Sequence, residues 1–237
     1  MWQAIENTYT YHEIPQSKWI IIFVHWLTSD QNEEMFVQWD KVFNKNWYST
    51  IRFDLYWDLP GERKLDEVCL QDNIDDINGV IDFCKEKWHK RIFLVGHSYG
   101  WIANLYANHD SISWILMRDS SIGWKNLLCD VYLDENWKHY IDWWDGYRHY
   151  IGEKLYQDFL IPSEEFLQKI SEIKVPIKII WAENWLWETA KKYYEYANEQ
   201  KEITIIPWAY HRFLGWWMDE LLKESLKWVE WINLILQ

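Results

Sequence analysis

Residues 91–107 constrain this chain more than any other stretch. Arg91-Ile92-Phe93-Leu94-Val95 reads as a buried strand, and Trp101-Ile102-Ala103-Asn104-Leu105-Tyr106-Ala107 reads as a helix. Between them stands Gly96-His97-Ser98-Tyr99-Gly100. A G-x-S-x-G between a strand and a helix forms a nucleophile elbow. A serine hydroxyl is a weak nucleophile and must stand clear of the backbone to meet a base. The sharp turn that achieves this leaves no room for a Cβ two residues either side, and Gly96 and Gly100 supply that room. The following helix aims its first N–H groups where negative charge would develop. A bare G-x-S-x-G is a weak signal, and its plain alternative is an ordinary turn with a solvent-facing serine. The flanks make this one specific.

The rest of the chain alternates strand and helix patterns. Trp19-Ile20-Ile21-Ile22-Phe23-Val24 is an almost unbroken apolar run, as expected of a strand buried on both faces of a parallel sheet. Residues 49–54, 91–95, 113–117, 175–180 and 202–206 read as further strands. Residues 30–46, 65–87, 189–200 and 216–236 read as helices, and residues 2–14 as one or two edge strands. This alternation predicts an α/β protein with a doubly wound, mostly parallel sheet. Residues 120–172 interrupt it, polar and aromatic with no clear strand. They read as a cap or lid insertion of short helices, or else as a plain long connection. No repeat or linker divides the chain, so residues 1–237 are expected to form a single domain carrying that insertion.

Charge and cysteine content narrow the partners. Lys and Arg number 24 against 37 Asp and Glu, a net charge of −13. That balance argues against nucleic acid or an anionic membrane surface. Cys69, Cys84 and Cys129 form no C-x-x-C pair and have no His-rich neighbourhood, which points to free thiols in a reducing compartment and away from zinc. Residues 1–11 lack a basic region followed by an apolar run, and residues 19–24 and 231–236 are too short to span a bilayer. A soluble, cytoplasmic protein is the expectation.

Three stations together resemble the α/β-hydrolase family, specifically its small serine esterases and acylglycerol-lipase-like members. They are Phe23-Val24-His25, Gly96-His97-Ser98-Tyr99-Gly100, and Pro207-Trp208-Ala209-Tyr210-His211-Arg212-Phe213. The resemblance covers nearly the whole chain, and Asp54-Leu55-Tyr56-Trp57 looks like a fourth station. It implies Ser98 as nucleophile and His211 as base. It also implies an oxyanion hole from the amides of Leu27 and Tyr99, with His25 and His97 as packing or positioning residues. No metal or cofactor is implied. His89, His109, His139 and His149 read as solvent-facing.

The acid that orients the base is the open position. Its usual turn reads Trp181-Ala182-Glu183-Asn184-Trp185. Counting forward from the strand puts Asn184 there, which cannot carry charge. Counting backward from His211 puts Glu183 there, and Glu is an accepted variant. Glu183 is preferred, Asp119 at the end of the preceding strand comes next, and Glu188 is a weaker third.

The chain has 21 tryptophans and only 8 glycines, where glycine near 7 % is usual. Trp26, Trp47, Trp57, Trp88, Trp101, Trp137 and Trp208 stand where a turn, helix end or close approach asks for glycine. Either a UGA codon meaning glycine has been read as tryptophan, or the protein is tryptophan-rich with aromatic-lined clefts.

Two functions remain open. One is a serine hydrolase cleaving a small carboxylic ester through an acyl-enzyme. The other is a catalytically impaired member of the same fold that binds rather than cleaves.

Overall fold

The computed structural model describes residues 9–56, 63–120, 131–142 and 146–235. Its centre is a seven-stranded sheet in the order β1-β3-β2-β4-β5-β9-β10. These strands are β1 (Tyr9–His12), β2 (Trp19–Val24), β3 (Ser49–Phe53), β4 (Arg91–His97), β5 (Ile112–Arg118), β9 (Ile177–Ala182) and β10 (Lys201–Ile206). All neighbours pair in parallel except β1, which lies antiparallel on β3 at one edge.

The apolar run of β2 has partners on both faces. Ile20, Ile22 and Val24 face helices α2 (Leu70–Glu86) and α3 (Tyr99–Tyr106), through Ile74, Ile77, Ile102 and Leu105. Ile21 and Phe23 face α1 (Glu34–Lys45) and the closing α7 (Trp216–Ile235), through Phe36, Trp39, Leu221 and Val229. Helices on both faces explain why this strand reads as continuous rather than alternating.

The helix expected from residue 65 begins five residues later, at Leu70. The Cys69 N–H donates to Asp72 Oδ2 at 2.9 Å, so Asp72 caps the first turn and fixes the start there.

The expectation of short helices across residues 120–172 is half right. Helices α4 (Glu153–Asp158) and α5 (Ser163–Glu172) are present, but β6 (Val131–Leu133), β7 (His139–Asp142) and β8 (Arg148–Tyr150) form an antiparallel three-stranded sheet before them. Strands of three or four residues with one wet face are too short to show a period. Residues 121–130 and 143–145 of that insertion lie outside the described residues, as do residues 1–8 and Trp57. The last helix before β10 is α6 (Trp187–Tyr196). No helix among the described residues is long and apolar enough to cross a membrane.

Candidate active site

Parallel strands bring their carboxyl ends to one edge of the sheet, where sites in such folds form. Here that edge carries His25 to Thr28 after β2, Ser98 after β4, Asp119 after β5, Glu183 after β9 and the loop 207–215 after β10.

Ser98 sits at φ 52°, ψ −116°, between the end of β4 and the start of α3. Its N–H donates to the Arg118 carbonyl at 2.9 Å, which ties the elbow to the end of β5. The glycine requirement is visible on both sides. A Cβ on Gly96 would lie 2.5 Å from Asn104 Nδ2 and 2.7 Å from the Trp101 Cα. On Gly100 it would lie 2.5 Å from the His25 carbonyl oxygen and closer still to that of Val24. Backbone cannot swing aside as a side chain can. Gly100→Ala should therefore lower stability by about 3 kcal/mol, the upper range for overpacking. Urea unfolding checks this, and an unshifted midpoint would contradict the close approach.

The segment after β2 is pinned by His25. Its Nδ1 donates to the Trp26 carbonyl at 2.8 Å, and its Nε2 accepts the Leu55 N–H at 3.0 Å. Burial holds this imidazole neutral, with its pKa pushed down to about 4. Thr28, at φ 62°, donates its N–H to the Tyr56 hydroxyl at 2.6 Å. Leu27 is thus fixed between two anchored residues, and Tyr99 opens α3 beside Ser98.

The carboxylate that meets His211 is Asp119. His211 Nδ1 donates to Asp119 Oδ2 at 2.7 Å. The other oxygen, Oδ1, accepts the Ala182 N–H at 2.9 Å, while the Asp119 N–H donates to the Ile180 carbonyl at 3.1 Å. Asp119 thereby extends the β5–β9 pairing and is fully buried. Its backbone is left-handed at φ 46°, which a short polar side chain tolerates. Burial pushes its pKa up to about 6, against the pull of His211 and of the Ala182 N–H.

The preferred candidate, Glu183, is directed elsewhere. Its Oε2 accepts the Trp208 N–H at 2.9 Å, and its N–H donates to the Ile206 carbonyl at 3.1 Å. Asn184 donates its side-chain amide to the Trp208 carbonyl at 3.1 Å and its N–H to the Ala209 carbonyl at 3.0 Å. Both residues hold the turn that leads into His211, and neither holds the imidazole. They stand one strand further along the sheet, on the side of β9 that faces β10.

Two rings that sequence reasoning did not assign to the base flank it. The Trp185 and His97 ring centroids lie 4.6 Å and 4.7 Å from that of His211, each tilted by about 30°. Burial, with the nearby His211 and Arg118, lowers the His97 pKa well below its usual value. For His97 the resemblance already implies a packing or positioning role, whereas nothing in the sequence marks Trp185. His89 departs from its expected solvent position: it is buried, with Nε2 within 2.9 Å of the Tyr11 hydroxyl. His109, His139 and His149 are half-buried.

By sequence the chain matches no family profile and no curated protein. By shape it has counterparts, among them the following, each distant in sequence. Est1E from Butyrivibrio proteoclasticus, solved with ferulic acid bound, superposes with a TM-score of 0.76 at 18 % identity, over 93 % of each chain. A monoacylglycerol lipase from Paleococcus ferrophilus gives 0.69 at 14 %, over 93 % of this chain and 96 % of that one. Mouse alpha/beta hydrolase domain-containing protein 10 gives 0.72 at 14 %, over 94 % and 93 %. The chain has the α/β-hydrolase fold.

Proposed function

We propose that this protein is a serine hydrolase that cleaves carboxylic esters through an acyl-enzyme. The observation that carries the reading is the 2.7 Å pairing of Asp119 with His211 at the sheet edge where Ser98 stands on its strained elbow. Asp119 fixes the proton on His211 Nδ1, so Nε2 is the basic nitrogen. His211 Nε2 takes the Ser98 proton as Oγ attacks the ester carbonyl, and the carboxylate stabilises the imidazolium that forms. The amides of Leu27 and Tyr99 receive the oxyanion. His211 then gives its proton to the departing alcohol, and water attacks the acyl-serine by the same route reversed. The insertion at residues 120–172, of which residues 131–142 and 146–172 are described, would serve as a cap.

Similar folds include proteins described as an esterase domain and a monoacylglycerol lipase, which favours an ester as substrate. The non-catalytic reading rested on the weak acid turn at Glu183 and Asn184 and on Trp26. Asp119 supplies an acid from another strand, and the Trp26 indole is buried against Phe36 and His97. A panel of p-nitrophenyl esters of increasing acyl length tests the reading: saturable turnover supports it, and no turnover on any member contradicts it.

The pH dependence follows from Asp119. Above about pH 6 the carboxylate is ionised and accepts the Nδ1 proton. Below that value it takes a proton, stops orienting the imidazole, and the rate falls. kcat/KM should drop steadily on the acid side of about pH 6, and a flat profile down to pH 5 would contradict the assignment.

A further inference from the structure

Four tryptophans adopt a backbone conformation that belongs to glycine. Trp47, Trp88, Trp137 and Trp208 have φ of 67°, 65°, 60° and 60°. In this left-handed region a Cβ crowds the following carbonyl oxygen.

Each of the four occupies the glycine position of a defined motif. Trp47 follows α1. Its N–H donates to the Asn44 carbonyl, and the next N–H, of Tyr48, donates to Phe43, both at 3.1 Å. Trp88 repeats the pattern after α2, with Trp88 to Lys85 at 3.0 Å and His89 to Cys84 at 3.1 Å. These are paired Schellman bonds, whose left-handed C′ residue is usually glycine. Trp137 closes the β6–β7 hairpin. It donates to the Asp134 carbonyl at 3.1 Å, and Asp134 donates to that of Lys138 at 3.0 Å. That is a type I turn followed by a left-handed bulge residue, again a glycine position. Trp208 follows Pro207, and Ala209 donates to the Ile206 carbonyl at 3.4 Å. Proline then a left-handed residue makes a type II turn, which calls for glycine third.

The side chains give nothing in return. The four are 74 %, 87 %, 80 % and 68 % exposed, and among the described residues none makes a ring or cation–π contact. Trp39, Trp114 and Trp181, by contrast, are fully buried. Trp26 and Trp101 are also buried, without a positive φ, so the backbone argument does not extend to them.

We propose that positions 47, 88, 137 and 208 carry glycine in the protein as its source makes it. Tryptophan stands there because UGA, translated as glycine by a tRNA of that organism, has been read as tryptophan. The inference is independent of the proposed activity, although the Trp208 turn is the one that carries His211 into the site.

The deciding experiment is peptide mass spectrometry of the protein isolated from its source, alongside its coding sequence. The tryptic peptide 46–52 and those spanning 88, 137 and 208 should have glycine masses, with UGA at all four codons. Tryptophan masses, or UGG codons, would overturn the proposal. The backbone argument is tested separately by urea unfolding of recombinant protein. Trp47→Gly and Trp88→Gly should each raise the folding equilibrium constant about 5- to 30-fold over the matching Trp→Ala variants, which keep the Cβ. Trp231→Gly in α7 should lower it. Glycine and alanine variants of equal stability at 47 and 88 would overturn the left-handed assignment.

Discussion

Ser98→Ala is expected to lower ester turnover by about 10⁶-fold in kcat, the scale on which a triad nucleophile acts. Stability should stay within about 0.5 kcal/mol, because alanine keeps the Cβ and removes one hydroxyl from a half-buried turn. The strained φ of 52° is imposed by the elbow and remains in the variant. His211→Ala should cost a comparable amount. The double variant should be scarcely slower than either single one, since the groups act as a unit. Multiplicative losses would show that Ser98 and His211 serve separate steps.

Asp119→Asn should cost on the order of 10⁴-fold in kcat. The neighbouring strand makes this loss specific. The Ala182 N–H at 2.9 Å demands an acceptor, so the amide oxygen turns towards it and the NH₂ group faces His211. His211 Nδ1 must then accept, its proton moves to Nε2, and the base can no longer take the Ser98 proton. Glu183→Gln should change the rate less than about 3-fold, because its amide oxygen still accepts the Trp208 N–H. Steady-state kinetics on one p-nitrophenyl ester compares the two. A large loss for Glu183→Gln with near-normal Asp119→Asn would return the acid to the turn after β9.

What could be read from the sequence depended on how local its cause was. The β2 run was legible because burial on both faces removes polar residues from every position. The elbow was legible because two glycines four residues apart answer a steric demand that is met within the turn. His211 was singled out by the resemblance carried by the Pro207–Phe213 station. Its carboxylate partner was not, because that depends on which strand lies beside which. Asp119 reaches His211 only since β5 pairs with β9 and the 207–215 loop folds back over their ends. Counting along the β9 turn could not see that, and it favoured a glutamate whose partner is a backbone amide. The strands β6 to β8 escaped for another reason: each is too short for alternation to stand out from a polar, aromatic segment. The left-handed positions of Trp47, Trp88, Trp137 and Trp208 were legible as sites that favour glycine, because turn and helix-end geometry is set by neighbours within five residues.

Labelling with a fluorophosphonate, followed by peptide mass spectrometry, tests whether Ser98 is a nucleophile activated by His211 under the control of Asp119. One adduct is expected, on Ser98, absent from Ser98→Ala and formed far more slowly in His211→Ala and Asp119→Asn than in Glu183→Gln. No adduct, an adduct on another residue, or equal labelling rates across those variants would contradict it.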